Sequence, residues 1–83
     1  MYTENQQISK NTVIEAVKKM DDSVFNNVAL LADETFIGME NLSREEVIYA
    51  VEDSYEDEFS EFIFYLDKLG YVKFEDWNKL SNL

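Results

Sequence analysis

The chain has no cysteine, no histidine and no proline, and only two glycines among its 83 residues. Without cysteine and histidine there is no thiolate nucleophile, no disulfide, no zinc site of the usual ligand types, and no side chain that titrates naturally near neutral pH. Most catalytic constellations are excluded with them. Neither Gly38 nor Gly70 belongs to a Gly-rich phosphate loop or a Gly-containing calcium loop. Met1 to Ile8 is polar with no cationic start, and no run of 18 apolar residues occurs anywhere. The expectation is a cytoplasmic, non-enzymatic protein with no cofactor, no metal and no membrane span.

Positive charge is also scarce, with seven Lys and Arg against 18 Asp and Glu for a net charge of -11. Disorder would need low hydrophobicity beside that charge, yet 46% of residues are hydrophobic and 14% are aromatic. The chain should therefore fold, and its length allows one core. A single helical domain over 1–83 is expected, with 1–8 as a frayed tail.

The acids are not spread evenly. Residues 40 to 67 hold ten of them (Glu40, Glu45, Glu46, Glu52, Asp53, Glu56, Asp57, Glu58, Glu61 and Asp67) against one cation, Arg44. The first 20 residues and the last 16 each sum to +1. Like charges at close range repel, so such a block adds nothing to the stability of a packed domain; it suits a basic partner or a role in repulsion, beside the plain reading of a solvated face. The same sign disfavours direct contact with nucleic acid phosphates or anionic headgroups.

Hydrophobic spacing predicts mainly helices. Ser9 or Asn11 can cap a first one carrying Val13, Ala16, Val17 and Met20 at i, i+3, i+4, i+7, widened by Ile14 and closed by Lys18 and Lys19. Asp21 or Asp22 starts a second with Val24, Phe25, Val28, Leu31 and Ala32, for which helix is favoured although Val28 to Leu31 alone also reads as a short buried strand, and Phe36 to Met39 reads as an irregular plug. Ser43-Arg44-Glu45-Glu46 is a capping box ahead of a helix from about Arg44 to Asp53. A break at Asp53 to Tyr55, with Asp53 and Ser54 as candidate N-caps, precedes a helix with Phe59, Phe62, Ile63, Leu66 and Leu69 on one face and Gly70 as its left-handed terminator. Tyr71, Val72 and Phe74 look extended, and Glu75 and Asp76 open a last helix with Trp77 and Leu80. The class expected is all-α: a compact bundle of four to five short helices, with at most a minor β element.

Some of the acidic block has a local explanation. Glu45, Glu46, Glu56, Asp57 and Glu58 fall in first turns, where a carboxylate meets the positive end of the helix dipole. Glu52 and Asp53 sit at the unfavourable end, and Glu61 has no cation within helical reach. Were the helix continuous through Ser54, Glu52/Glu56, Asp53/Asp57 and Asp57/Glu61 would be repelling neighbours. Residues four apart rise about 6 Å, of the same order as successive phosphates on a strand, so such a surface can imitate a phosphate row. Tyr49 lies off its helix's apolar stripe, Tyr55 and Tyr65 flank the densest charge, and Phe64 is off its main stripe. Exposed aromatics ringed by polar groups suit contact anchors, although a domain this small must leave some aromatics half exposed.

Asp53, Asp57 and Glu61 are the acids an enzyme or cation cage would use, but nothing else of such a site accompanies them. A helix-turn-helix could be formed by Arg44 to Asp53 and Glu56 to Leu69. Its recognition helix would open Glu56-Asp57-Glu58, the wrong sign for phosphates, with no Arg or Asn to read a base. The run Asp53-Ser54-Tyr55-Glu56-Asp57-Glu58-Phe59, with Phe74-Glu75-Asp76-Trp77 behind it, loosely resembles segments of small acidic inhibitors of phages and mobile elements, such as ArdA-type antirestriction and DNA-mimicking anti-CRISPR proteins. That resemblance carries no diagnostic motif and no residue roles.

The expected function is occlusion of a basic, nucleic-acid-binding surface of a partner protein such as a nuclease. Its contact residues would be Glu45, Glu52, Asp53, Glu56, Asp57, Glu58 and Glu61, with Tyr49, Tyr55 and Phe64 as anchors. The alternative is a structural or regulatory adaptor, or a homodimer, docking through apolar faces.

Overall fold

The computed structural model describes residues 8–36 and 42–83. Five helices follow in order: α1 (Lys10–Lys19), α2 (Asp22–Thr35), α3 (Arg44–Asp53), α4 (Glu56–Lys68) and α5 (Asp76–Ser81). No strand occurs among the described residues, so the all-α bundle is the architecture. The expected tail lies outside the described residues except Ile8, which packs against the core. The plug at Phe36 to Met39 is described only at Phe36, which is buried.

Capping chemistry sets the helix starts. The Ser9 hydroxyl accepts the Thr12 N–H at 3.1 Å, and Asp21 accepts that of Val24 at 3.1 Å. Ser43 and Glu46 form the reciprocal box, Glu46 N–H to Ser43 Oγ at 3.2 Å and Ser43 N–H to Glu46 Oε1 at 2.9 Å. α4 ends in a Schellman turn: Tyr71 N–H reaches Leu66 O and Gly70 N–H reaches Asp67 O, with Gly70 at φ +77°.

The core gathers one face from every helix: Val13 and Val17 from α1, Val28 and Ala32 from α2, Val47 and Val51 from α3, Phe62 and Leu66 from α4, and Trp77 from α5. α3 lies between two pairs, packing on both α1 and α2, while α5 packs mainly on α1 and α4 on α2. The α2/α4 contact includes Phe36 and Phe62, with ring centroids 5.3 Å apart.

Cations lash these elements together at helix C-termini, where the last carbonyls lack intrahelical partners. Lys10 at the start of α1 donates to Ser54 O at the end of α3. Arg44 at the start of α3 donates to Val17 O in the last turn of α1 at 2.6 Å. These two ties make α1 and α3 antiparallel. Lys19 donates to Ser81 O at the end of α5 at 2.8 Å.

Three expectations need correcting. Leu69 is 52% exposed and lies beyond the last turn of α4, because the Schellman turn carries the chain away just as the apolar face would reach it. Tyr71, Val72 and Phe74 are not extended: 71–75 form bends and turns that seat Val72 in the core. Neither Asp53 nor Ser54 caps α4. Asp53 ends α3, Ser54 turns its hydroxyl back to Val51 O at 2.7 Å, and Tyr55 takes the cap position without a side-chain bond.

Candidate interaction surface

The break between α3 and α4 is two residues long, Ser54 and Tyr55. Glu52, Asp53, Glu56, Asp57 and Glu58 therefore crowd one corner of the molecule, and only Glu58 among them is half-buried. Tyr55 stands at its apex, 77% exposed. Ser54 beneath it is buried, and its carbonyl receives the Lys10 ammonium. That ammonium supplies the cation missing from the last turn of α3, which ends in Glu52 and Asp53.

Helix geometry extends the corner along two outer stripes. On α3, Glu45, Tyr49 and Glu52 recur at i, i+4, i+7 and are exposed, opposite the buried Val47, Ala50 and Val51. On α4, Asp57, Glu61, Phe64 and Lys68 form the corresponding stripe, opposite Phe59, Phe62, Ile63 and Leu66. Glu45 and Phe64 lie seven residues from Glu52 and Asp57 respectively, about 10 Å along each axis. The corner thus unites Glu52, Asp53, Tyr55, Glu56, Asp57 and Glu58, while Glu45, Tyr49, Glu61 and Phe64 lie along its arms. Glu40 falls outside the described residues.

Some carboxylates do structural work. Glu58 accepts the Tyr55 N–H at 3.0 Å, Asp57 accepts the Glu58 N–H at 3.0 Å, and Asp67 accepts the Phe74 N–H at 3.3 Å. Glu46 is held below its ordinary value of 4.5 by the Ser43 backbone N–H it accepts. Outside the block, Asp21 is lowered from 3.8 by the Val24 N–H and then by the Ser23 hydroxyl. The carboxylates of Glu45, Glu52, Asp53, Glu56 and Glu61 make no hydrogen bond or ion pair with any described residue.

The ion pairs among the described residues lie elsewhere: Glu15 with Lys18 and Lys19, and Asp22 with Arg44 at 2.8 Å. Arg44, the one cation of the acidic block, is thus committed to α1 and α2, with its guanidinium carbon also 4.8 Å from the Phe25 ring centre. The two-residue break also separates Glu52 and Asp53 from Glu56 and Asp57 as helical neighbours, leaving Asp57/Glu61 and Glu58/Glu61 as the repelling pairs within α4. No three acids converge as a cation site among the described residues.

Sequence reasoning missed a second feature beside this surface. Leu31, Glu34 and Thr35 of α2 and Glu61, Tyr65 and Leu69 at α4 line an open groove of about 400 Å³. Leu30 and Phe64 are exposed nearby on the same two helices. The end of α4 at Gly70 was the one available signal that Leu69 would fall outside the helical face. No family model matches this chain, no curated protein matches it, and no solved structure matches it. No helix among the described residues is long and apolar enough to cross a membrane.

Proposed function

We propose that this protein is a non-enzymatic interaction module that binds and occludes a basic surface of a partner protein, of the kind that holds nucleic acid phosphates. The observation supporting this reading is an asymmetry of use. Lys10, Lys19 and Arg44 are each committed to a carbonyl at a helix end, while the carboxylates of Glu52, Asp53 and Glu56 stand exposed at the α3/α4 corner with no partner among the described residues. A stable fold has no need of that arrangement; a cationic counterpart does.

In this mechanism the corner acids pair with partner Lys and Arg, Glu45 and Glu61 extend the negative field along the two arms, and Tyr55 is buried on docking. Tyr49 and Phe64, placed mid-stripe, exclude water from the flanks. Competition with nucleic acid for the same cations would follow from charge and spacing. Phage or mobile-element inhibitors of antirestriction or anti-CRISPR type are the setting in which such occlusion would operate.

The test is affinity capture on immobilised protein at low salt, with a Glu52→Lys/Asp53→Lys/Glu56→Lys/Asp57→Lys variant in parallel. Captured proteins should be basic, should leave the column by about 0.5 M NaCl, where the Debye length is only a few Å, and should be absent from the variant. Retention that survives both salt and charge reversal would sink the proposal. It would favour the adaptor reading, for which the exposed Leu30, Phe64 and Leu69 are the supporting observation.

A further inference from the structure

The α2/α4 groove carries features that select an occupant. Its floor and walls are apolar at Leu31, Tyr65 and Leu69, and a carboxylate enters from each side, Glu34 from α2 and Glu61 from α4. Its α2 wall runs from Leu31 to Thr35, the end of that helix, whose last turn bears no basic residue, so the negative end of the helix dipole also borders the groove. Lys68 does not line it and lies 5.9 Å from the Tyr65 ring centre and 6.0 Å from that of Phe64. A second copy of this chain, with net charge -11, would bring acid against acid there.

We infer that the groove is a docking site for a cationic amphipathic helix of the partner, which seats apolar side chains between Leu31, Tyr65 and Leu69 and directs Lys or Arg to Glu34 and Glu61. A volume of about 400 Å³ accommodates two or three aliphatic side chains, the number that successive i and i+4 anchors of one helix present. The inference rests on the basic-partner reading and adds to it a specific apolar contact. Glu61 belongs to both surfaces, since it lies on the outer stripe of α4 and lines the groove. One helical segment could therefore run from the groove toward the corner acids.

The experiment is an amide-resolved NMR titration of the whole chain with three synthetic peptides. The first is a Lys/Leu helix with leucines at i, i+4 and i+7, the second a scramble of it without an apolar face, and the third its Gln-for-Lys counterpart. The expected result is that the first peptide shifts Leu31, Glu34, Thr35, Tyr65 and Leu69, and that Leu69→Gln weakens it by about ten-fold while leaving the scramble unchanged. Glu34→Gln/Glu61→Gln should weaken the first peptide as well. Thermal unfolding of each variant guards against loss of fold, and the exposure of Leu69 makes Leu69→Gln a mild change.

Equal binding of peptide and scramble, with shifts confined to 52–58, would overturn the groove while leaving the basic-partner reading intact. Binding of neither cationic peptide at about 50 mM NaCl would defeat both. Equal affinity for the Gln-for-Lys peptide would overturn the cationic occupant. Groove shifts that depend on protein concentration without peptide would assign the groove to a second copy and overturn the proposal.

Discussion

At the scale of single residues, the last turn of α3 is unusual in ending with Glu52 and Asp53 while its terminal carbonyl is met by Lys10, 44 positions away in the chain. Replacing that ammonium leaves a part-buried carbonyl without its donor, so Lys10→Met should lower stability by about 1 kcal/mol in urea unfolding. Lys10→Glu should lower it further, since it adds a third anion at the negative end of the helix. Asp21 and Glu46 give a complementary effect of pH. Both carboxyls are held below their ordinary 3.8 and 4.5 by N–H groups they accept in the folded chain. A depressed group contributes stability above its unfolded value and loses that contribution as pH falls through the folded one. The part of the stability they supply should therefore be intact at pH 6 and fade below pH about 4. Asp21→Asn/Glu46→Gln should flatten the acid limb of the unfolding profile followed by circular dichroism, because Asn still caps but does not titrate.

At the scale of elements, Gly70 ends α4 at φ +77°, with open space where a Cβ would lie. Gly70→Ala should thus cost backbone strain alone, about 1 kcal/mol in chemical denaturation with an unchanged m value, and Gly70→Asn should cost less. That terminator was legible in the sequence, as were the Ser43 capping box, the bounds of α3 and the break at Ser54, because each rests on interactions within four or five residues. The acids and aromatics of the α3 and α4 stripes were legible too, through their offset from the apolar positions. The commitments of the cations were not. Lys10 to Ser54, Arg44 to Val17 and Lys19 to Ser81 join residues far apart in the chain, and nothing local marks which lysine will face which helix end. The groove went unseen for the same reason: Leu31 and Tyr65 become neighbours only when α2 packs on α4, and Leu69 changes face through the turn that follows it.

At the scale of the whole molecule, charge is partitioned by element. α2, α3 and α4 hold nearly all the excess acid, whereas α1 carries Lys10, Lys18 and Lys19 against Glu15, and Asp76 of α5 is balanced by Lys79. A field of one sign across α2 to α4 opposes compaction and attracts a counterpart, so salt should act in opposite senses on the two. Raising NaCl from about 0.05 to about 0.5 M should lift the Tm of the free protein and weaken capture of its partner. Glu52→Gln/Asp53→Asn should raise the low-salt Tm by a few degrees, a gain that shrinks at high salt; an unchanged Tm would mean those anions are already compensated. The placement of the chain's single tryptophan makes these two responses separable. Trp77 is fully enclosed within α5, which rests mainly on α1 rather than on the acidic helices. Its emission should report loss of the native state and stay silent when a partner lands on Tyr55, giving the molecule a built-in optical channel for folding while tyrosine signals at the α3/α4 corner register recognition.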